Sequence, residues 1–188
     1  MKFYKVSWEQ YEKDCFVLSR KIKHIKFDKI VAISRGGLVA ARIFSDLLDL
    51  SISHITIESY QNLQQKKYVT ITEVPSTHFN NKSILLVDEI GDSGRTLARA
   101  LSYFKSFNVK KILSLALYVK SKTKPLPDFW AKKIDAWVIF PYEVRETYTA
   151  FLKLFKTKEK TREKLLEVGF ENWEIDEILK GSGDKKTD

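Results

Sequence analysis

The sequence predicts an α/β protein in which a mainly parallel five-stranded sheet is flanked by helices and followed by a small helical bundle. Short apolar runs alternate with amphipathic helical patterns along most of the 188 residues, as in sheets built from strand–helix–strand units. One run, residues 84–87, is apolar at every position, which is typical of a strand buried on both faces of a parallel sheet. After Tyr142 the patterns become purely helical, which predicts the bundle.

Five apolar runs predict the strands of the sheet. They lie at residues 28–34, 51–59, 84–87, 111–119 and 134–140. Residues 68–72 fit a returning edge strand, and the polar stretch 60–67 before them fits either a mobile lid or a plain surface hairpin. The proline-containing stretch 124–130 is predicted to be a loop that leads to the last strand.

Apolar residues at helical spacing predict the helices. They lie at residues 7–24, 38–48, 95–107, 143–155, 161–168 and 172–180. Gly169 and Gly181 suit the ends of the last two helices. We expect residues 1–142 to form the main domain, residues 143–182 a helical extension and residues 183–188 a flexible tail.

Composition limits the class of protein. A hydrophobic content of 44% and an aromatic content of 13% fit a globular chain. The formal charge of +9 favours anionic partners such as nucleotides, pyrophosphate or nucleic acid. The single cysteine, Cys15, excludes an internal disulfide and fits a packed core thiol in a reducing compartment. With no apolar run of membrane length and no signal-peptide pattern, we expect a cytoplasmic protein.

The segment 83–97 carries the strongest chemical signal. Asp88 and Glu89 follow its apolar run, so they are expected at the carboxyl end of a buried strand, where α/β sheets bind ligands. Gly91 and Gly94 then allow a tight turn into a helix, where backbone N–H groups and the helix dipole suit a phosphate. Acids for ribose hydroxyls and a metal, beside a phosphate cradle, indicate a sugar-phosphate pocket. The alternative is a strand that merely ends in surface acids.

This segment resembles the phosphoribosyl-pyrophosphate signature of the type I phosphoribosyltransferases, with Glu89 in place of the usual second Asp and Ser93 in place of the usual Thr. The resemblance implies the fold of that family and transfer of ribose 5-phosphate from phosphoribosyl pyrophosphate. It implies that Asp88 and Glu89 hold the ribose hydroxyls and Mg²⁺, and that Asp92 transfers a proton at purine N7. The implied cradle for the 5-phosphate consists of Asp92, Ser93, Gly94, Arg95 and Thr96.

A second motif, Ser34-Arg35-Gly36-Gly37, follows the first predicted strand of the sheet. Arg binds phosphate oxygens in a bidentate manner and stays charged, and two glycines let backbone N–H groups approach the same anion. By itself, Arg-Gly-Gly often marks only a tight turn. The run through Val39 resembles the pyrophosphate loop of the xanthine–guanine branch of the family, in which the peptide before the Arg can be cis.

The base-binding end resembles the 6-oxopurine branch. Lys120 follows a predicted strand, and its ammonium suits an oxygen acceptor at position 6 of a purine. Trp137, followed by Val138, offers a flat platform on which a base could stack. A solvated strand end is the alternative for Lys120, and a core aromatic is the alternative for Trp137.

The resemblance also implies a closing lid that includes Ser59 and Tyr60, a second Mg²⁺ site at Glu143, and association as dimers or tetramers. Some archaeal purine phosphoribosyltransferases carry a carboxyl-terminal helical bundle, and one such lineage handles adenine, so the identity of the base stays open. The same fold also fits a phosphoribosyl-pyrophosphate-sensing regulator that binds nucleic acid, or an enzyme that acts on a pyrimidine base. The acidic last two helices and the lack of a recognisable helix-turn-helix argue against nucleic acid.

Overall fold

The computed structural model describes residues 1–61 and 64–180. Contacts divide the chain into two units, one comprising Glu9–Asp135 and the other comprising Met1–Trp8 with the residues from Ala136 onward. The predicted domain boundary at residue 142 stays a prediction. The boundary at residue 182, the tail 183–188 and Gly181 lie outside the described residues.

The described residues form strands β1–β8 and helices α1–α6. The strands are β1 (Phe3–Lys5), β2 (Lys29–Ser34), β3 (Ile52–Gln61), β4 (Gln64–Glu73), β5 (Ser83–Gly91), β6 (Lys111–Val119), β7 (Phe129–Lys133) and β8 (Trp137–Ile139). The helices are α1 (Trp8–Ile22), α2 (Gly37–Leu48), α3 (Arg95–Lys105), α4 (Val144–Phe155), α5 (Lys158–Glu167) and α6 (Asn172–Lys180).

The unit Glu9–Asp135 is built on a six-stranded sheet in the order β4-β3-β2-β5-β6-β7. Every neighbouring pair is parallel except β3 and β4, which run antiparallel. The predicted α/β class with a mainly parallel sheet is confirmed, and β4 is the expected edge strand. The expected number of five strands was wrong, because this sheet has six.

Two of the predicted elements near the end of the sheet have other bounds than expected. The predicted loop extends over residues 124–128, but β7 begins at Phe129, and its half-buried and exposed residues form no apolar run. Asp128 fixes the start of this strand, because its carboxylate accepts hydrogen bonds from the backbone N–H (2.7 Å) and the hydroxyl (2.7 Å) of Ser114 on β6. The predicted strand 134–140 is reduced to β8, which pairs with β1 in a separate two-stranded sheet.

The polar stretch 60–67 forms a β-hairpin over the residues that the structure describes. β3 continues to Gln61 and β4 begins at Gln64, with these two residues paired in an antiparallel register. Backbone hydrogen bonds can sustain such a hairpin without apolar periodicity, which is why the pattern alone did not reveal its strands. Asn62 and Leu63, where a lid would have its tip, lie outside the described residues.

Both faces of the central strands are buried, so the sheet is the core of its unit. Successive residues of β2 and β5 point to opposite faces. One face packs with α3 through Leu97, Ala100 and Phe104. The alternate residues Ile30, Ala32, Leu85 and Val87 are also fully buried. Residues 30–33 of β2 and 84–87 of β5 are therefore apolar at every position.

Helices α4, α5 and α6 pack on one another in the second unit, with Phe151, Leu165 and Ile175 buried among its side chains. α5 begins at Lys158, three residues before the predicted start, because the Thr157 hydroxyl accepts a hydrogen bond from the Lys160 N–H (3.2 Å) and caps the helix. Gly169 adopts φ 99° just beyond α5, as expected for a helix stop. Within the described residues, no helix is long and apolar enough to cross a membrane.

Candidate active site

The two acids of the segment 83–97 lie on the central strand β5, close to its carboxyl end. The four apolar residues before them are fully buried, whereas Asp88 and Glu89 are half-buried. The Asp88 carboxylate accepts a hydrogen bond from the backbone N–H of Glu89 (2.8 Å). Burial raises the pKa of Asp88 to about 7, and this hydrogen bond opposes the rise only in part. A cation or hydroxyl donor that arrives at this carboxylate would favour its ionised form.

The glycines of the second motif pack directly against these acids. A Cβ atom on Gly36 would overlap the Glu89 carboxylate. A Cβ atom on Gly37 would overlap the Val87 carbonyl oxygen and lie 3.1 Å from the Asp88 Cα atom. Only glycine allows this close approach of α2 to β5. The two motifs, separated by some fifty residues in sequence, therefore form one site at the carboxyl edge of the sheet.

The turn between β2 and α2 presents the rest of the second motif at this edge. Ser34 ends β2, and the Ser34–Arg35 peptide is cis, which confirms what the family resemblance implies. Arg35 is exposed, and α2 starts two residues later at Gly37. The amino terminus of α2 thus lies next to the acids of β5, and the exposed Arg35 precedes it by two residues, a combination that suits a phosphorylated anion.

The turn 92–96 leads from β5 into α3, and its carbonyl groups are bound by the loop between β6 and β7. The Gly91 oxygen accepts from the Lys120 N–H (3.0 Å), and the Ser93 oxygen accepts from the Lys124 N–H (3.0 Å). Gly94, at φ 84°, packs so tightly on Lys124 that a Cβ atom would lie 2.8 Å from its nitrogen. The turn is therefore fixed against a neighbouring loop by its backbone.

These contacts also set the direction of the N–H groups in the turn 92–96. The peptide bonds of this turn are trans, and in a trans peptide the N–H points opposite to the preceding carbonyl. Since the carbonyls of Gly91, Asp92 and Ser93 point to the β6–β7 loop, the N–H groups that follow them point away from it. This orientation, at the start of α3, is the one a phosphate cradle requires. The half-buried Ser93 and Thr96 are the two hydroxyl residues of the turn.

Asp92 forms ion pairs with two lysines of the β6–β7 loop. Its Oδ1 atom lies 3.2 Å from the Lys120 ammonium and 2.9 Å from the Lys122 ammonium. The predicted base-binding lysine and the predicted proton-transfer acid are thus in contact. Lys122 was not among the predicted site residues, because a lysine in a loop with several other lysines carries no signal of its own.

Thr123 and Asp135 hold this loop in place and were also not predicted. Thr123 is only 2% exposed, and its hydroxyl bonds to the Gly91 and Asp92 carbonyls and to the Lys120 N–H (3.0 Å). Asp135 accepts hydrogen bonds from the Ser121 hydroxyl and backbone N–H, which lower the pKa of its carboxyl group. In the sequence, the one hint of a fixed loop was that Thr123 is followed two residues later by Pro125.

Trp137, Val138 and Glu143 belong to the other unit. Trp137 is half-buried on β8 and donates its backbone N–H to the Lys2 carbonyl (2.8 Å), while Val138 is buried. The Glu143 carboxylate accepts a hydrogen bond from the Phe140 N–H (2.9 Å), so it has a structural role at the start of α4. Base stacking by Trp137 and metal binding by Glu143 stay predictions.

A groove of about 450 Å³ lies at the opposite end of the sheet, where β2, β5 and β6 begin. It is lined by Lys23, Lys26, Lys110 and a few apolar residues, and it contains none of the predicted site residues. Since ligands of parallel sheets bind at the carboxyl ends of the strands, the acids of β5 mark the candidate site and this groove does not.

Comparisons with known proteins agree with this geometry. The sequence profile described as "Phosphoribosyl transferase domain" matches residues 7–149. A xanthine-guanine phosphoribosyltransferase of Cereibacter sphaeroides is 28% identical over 157 residues, which cover 78% of this chain and 90% of that protein. A purine phosphoribosyltransferase from Pyrococcus horikoshii superimposes with a TM-score of 0.69 at 28% identity, over 76% of this chain and 95% of that one. A xanthine-guanine-hypoxanthine phosphoribosyltransferase of Helicobacter pylori gives 0.67 at 28% identity, over 82% and 98%.

Proposed function

The chain belongs to the phosphoribosyl transferase domain family, and from this membership we propose that it transfers the 5-phosphoribosyl group of phosphoribosyl pyrophosphate to a purine, in nucleotide salvage. In this reaction the bond between ribose C1′ and a pyrophosphate oxygen breaks, and a bond from C1′ to a purine ring nitrogen forms. The purine gives up a proton, and pyrophosphate leaves with the bonding electron pair. Cytoplasmic location and assembly as a homo-oligomer stay predictions.

The observation that carries the proposal is the convergence of both anion-binding motifs on the acids of β5. Gly36 and Gly37 lie against Glu89 and Asp88, so a pyrophosphate at the start of α2 would be next to the ribose hydroxyls held by those acids. The turn 92–96 follows on the same strand, with its N–H groups directed away from the β6–β7 loop. A sugar with a phosphate at one end and a pyrophosphate at the other fits this order.

Each group then has a role that its chemistry supports. Arg35 and the amides of Gly36 and Gly37 bind the pyrophosphate and stabilise the charge that it gains as it leaves. The turn 92–96 holds the 5-phosphate, which fixes the ribose relative to the base. Asp92 accepts the proton released from purine N7, as a general base placed at the same end of the site.

The acids of β5 also fit a substrate-borne Mg²⁺. Within residues 1–61 and 64–180, no cluster of three or more metal-binding side chains occurs, so the protein does not build a complete metal cage there. Mg²⁺ is typically held by one or two carboxylates together with substrate phosphates, which matches the pair Asp88 and Glu89. When bound, the ion would neutralise charge on the departing pyrophosphate. Such a cation would favour the ionised form of Asp88, whose pKa burial otherwise raises to about 7.

We propose a 6-oxopurine as the base, with adenine as the alternative. The relatives described above are named for xanthine, guanine, hypoxanthine or purine. The Lys120 ammonium, 19% exposed and already at the carboxylate of Asp92, can donate to an oxygen at position 6. The amino group of adenine is a hydrogen-bond donor like the ammonium, so the two would form no hydrogen bond with each other. Trp137 is proposed as the stacking platform.

A release assay for pyrophosphate tests this proposal, with hypoxanthine, guanine, xanthine and adenine offered separately. We expect turnover with the 6-oxopurines and weak turnover with adenine. The Lys120→Ala variant should lose about 10–100-fold in kcat/KM for the preferred 6-oxopurine and much less for adenine, since only the former loses a charge-assisted hydrogen bond.

Lys110→Ala is the matched control, because this lysine lies on the groove at the opposite end of the sheet. An equal loss for adenine in Lys120→Ala would remove the specificity assignment and leave the reaction intact. A lack of turnover with all four bases, together with salt-sensitive binding to DNA, would instead favour the regulator.

A further inference from the structure

Asp92 has two cationic partners, and they are not equivalent. The Lys120 side chain is 19% exposed, and its backbone N–H is bound to Gly91 and Thr123. The Lys122 side chain is 64% exposed, yet its ammonium lies closer to the Asp92 carboxylate, at 2.9 Å against 3.2 Å. Both ammonium groups approach the same oxygen, Oδ1. One carboxylate oxygen is therefore shared between a confined lysine and an exposed one.

A bound base would change this arrangement. Under the proposed function, Lys120 donates to the oxygen at position 6, so its ammonium is less available to the ion pair with Asp92. A half-buried carboxylate that must take up a proton in the reaction needs a counter-ion that keeps it ionised and oriented until then. Lys122 reaches Asp92 from the exposed side of the loop and does not have to leave when the base arrives.

We propose that Lys122 is a positioning residue that acts as the counter-ion of Asp92 in the base-loaded site, while Lys120 binds the base. The inference rests on the proposed function and assigns different roles to the two lysines of the loop. The base is thus recognised by one ammonium, and the carboxylate that accepts its proton is oriented by another. Lys122 itself contacts neither the base nor the ribose in this scheme.

A double-mutant cycle with Lys122→Met and Asp92→Asn tests the inference. In the wild-type background, Lys122→Met should lower kcat with hypoxanthine about fivefold, the order expected for a partly exposed ion pair to a general base, and leave the KM for phosphoribosyl pyrophosphate unchanged. In the Asp92→Asn background, the same change should alter kcat by less than about twofold, because the carboxylate on which Lys122 acts is gone. Product formation in the slow variants is measured at end point.

Two further variants separate this role from charge and fold. Lys122→Arg should restore most of kcat, because a guanidinium also pairs with a carboxylate. Lys105→Met removes an exposed cation from the last turn of α3, at the other end of that helix from the turn 92–96, and should leave kcat unchanged. Equal thermal unfolding of all variants with intact Asp92 would show that the loop is undisturbed.

The outcomes distinguish this inference from the proposed function. A wild-type protein without turnover on any purine overturns both. An active wild type in which Lys122→Met changes nothing, or lowers kcat equally with and without the Asp92 carboxylate, overturns the role of Lys122 alone. A rise in the KM for the base, with kcat unchanged, also overturns it, because Lys122 would then be a binding residue for the base.

Discussion

Asp88 and Asp92 lie only four residues apart, yet their carboxylates have opposite surroundings. The Asp88 carboxylate is desolvated on β5 and accepts one short backbone hydrogen bond, and its pKa is raised to about 7. The Asp92 carboxylate, just beyond β5, lies within ion-pair distance of two lysines. The strand holds one acid half-buried, whereas the turn after it places the other beside a basic loop.

The difference indicates two ways in which a folded chain adapts a carboxylate to a chemical role. A desolvated acid without a protein cation is ready for a cation that arrives with the substrate. An acid beside two ammonium groups has counter-ions for its charge, which suits the proton acceptor proposed above. Titratable groups with contrasting environments in one site are typical of acid–base and metal-assisted chemistry. The variants below either remove this contrast or measure each side of it.

The largest effect is expected when the acids of β5 are made neutral. Asp88→Asn combined with Glu89→Gln removes both charges while keeping the shape of the side chains. We expect nucleotide formation to fall on the order of 10³-fold or more, because the contacts of these acids with Mg²⁺ and with the ribose hydroxyls are lost together. Asp46→Asn, an exposed acid on α2, is the control and should keep full activity. Near-normal turnover in a folded double variant would refute the role proposed for these acids.

A smaller effect is expected when the β6–β7 loop beside Asp92 loses the hydrogen bonds that fix it. Thr123→Val keeps the volume of a buried side chain but removes the hydroxyl that bonds to Gly91, Asp92 and Lys120. The Asp92 carbonyl loses this hydrogen bond, whereas the Gly91 carbonyl and the Lys120 N–H keep the one between them, so the free energy of unfolding should fall by about 1–2 kcal/mol. Urea denaturation measures this loss, and Thr123→Ser should recover most of it. If Thr123→Val is as stable as the wild type, the hydroxyl does not fix this loop.

The sequence was sufficient for the features that depend on local pattern. The apolar run 84–87 followed by Asp88 and Glu89 predicted a buried strand that ends in acids, and β5 has this form. Gly36 and Gly37 were predicted to let backbone N–H groups approach an anion, and Gly37 also lies directly on β5. In both cases the residue types follow directly from the physical requirement.

Features that depend on contacts between distant segments could not be predicted in this way. β7 has no buried residue and follows a proline-containing loop, and it is fixed to β6 through Asp128, fourteen residues from its partner Ser114. The role of Thr123 likewise depends on carbonyls at and just before the turn 92–96, about thirty residues earlier. A single threonine or aspartate looks the same in a sequence whether it binds water or a distant backbone group.

The smallest predicted effect concerns Asp88 alone and is measured as the free energy of unfolding of the ligand-free protein. The pKa of Asp88 in the folded protein, about 7, is above the unfolded value of about 3.9. The folded state therefore binds this proton more tightly, and the stability that it contributes is complete below about pH 4 and is lost as the pH rises through 7. Asn does not titrate, so from pH 5 to pH 8 the unfolding free energy of Asp88→Asn should rise relative to wild type by about 1 kcal/mol, a value reduced by solvent that reaches a half-buried group.

Asp135→Asn is the control: the pKa of that carboxyl group is lowered, so its contribution stays constant across this range. A difference between Asp88→Asn and wild type that does not change with pH would mean that Asp88 is already ionised at pH 5, and the contrast with Asp92 would then be one of position and not of charge.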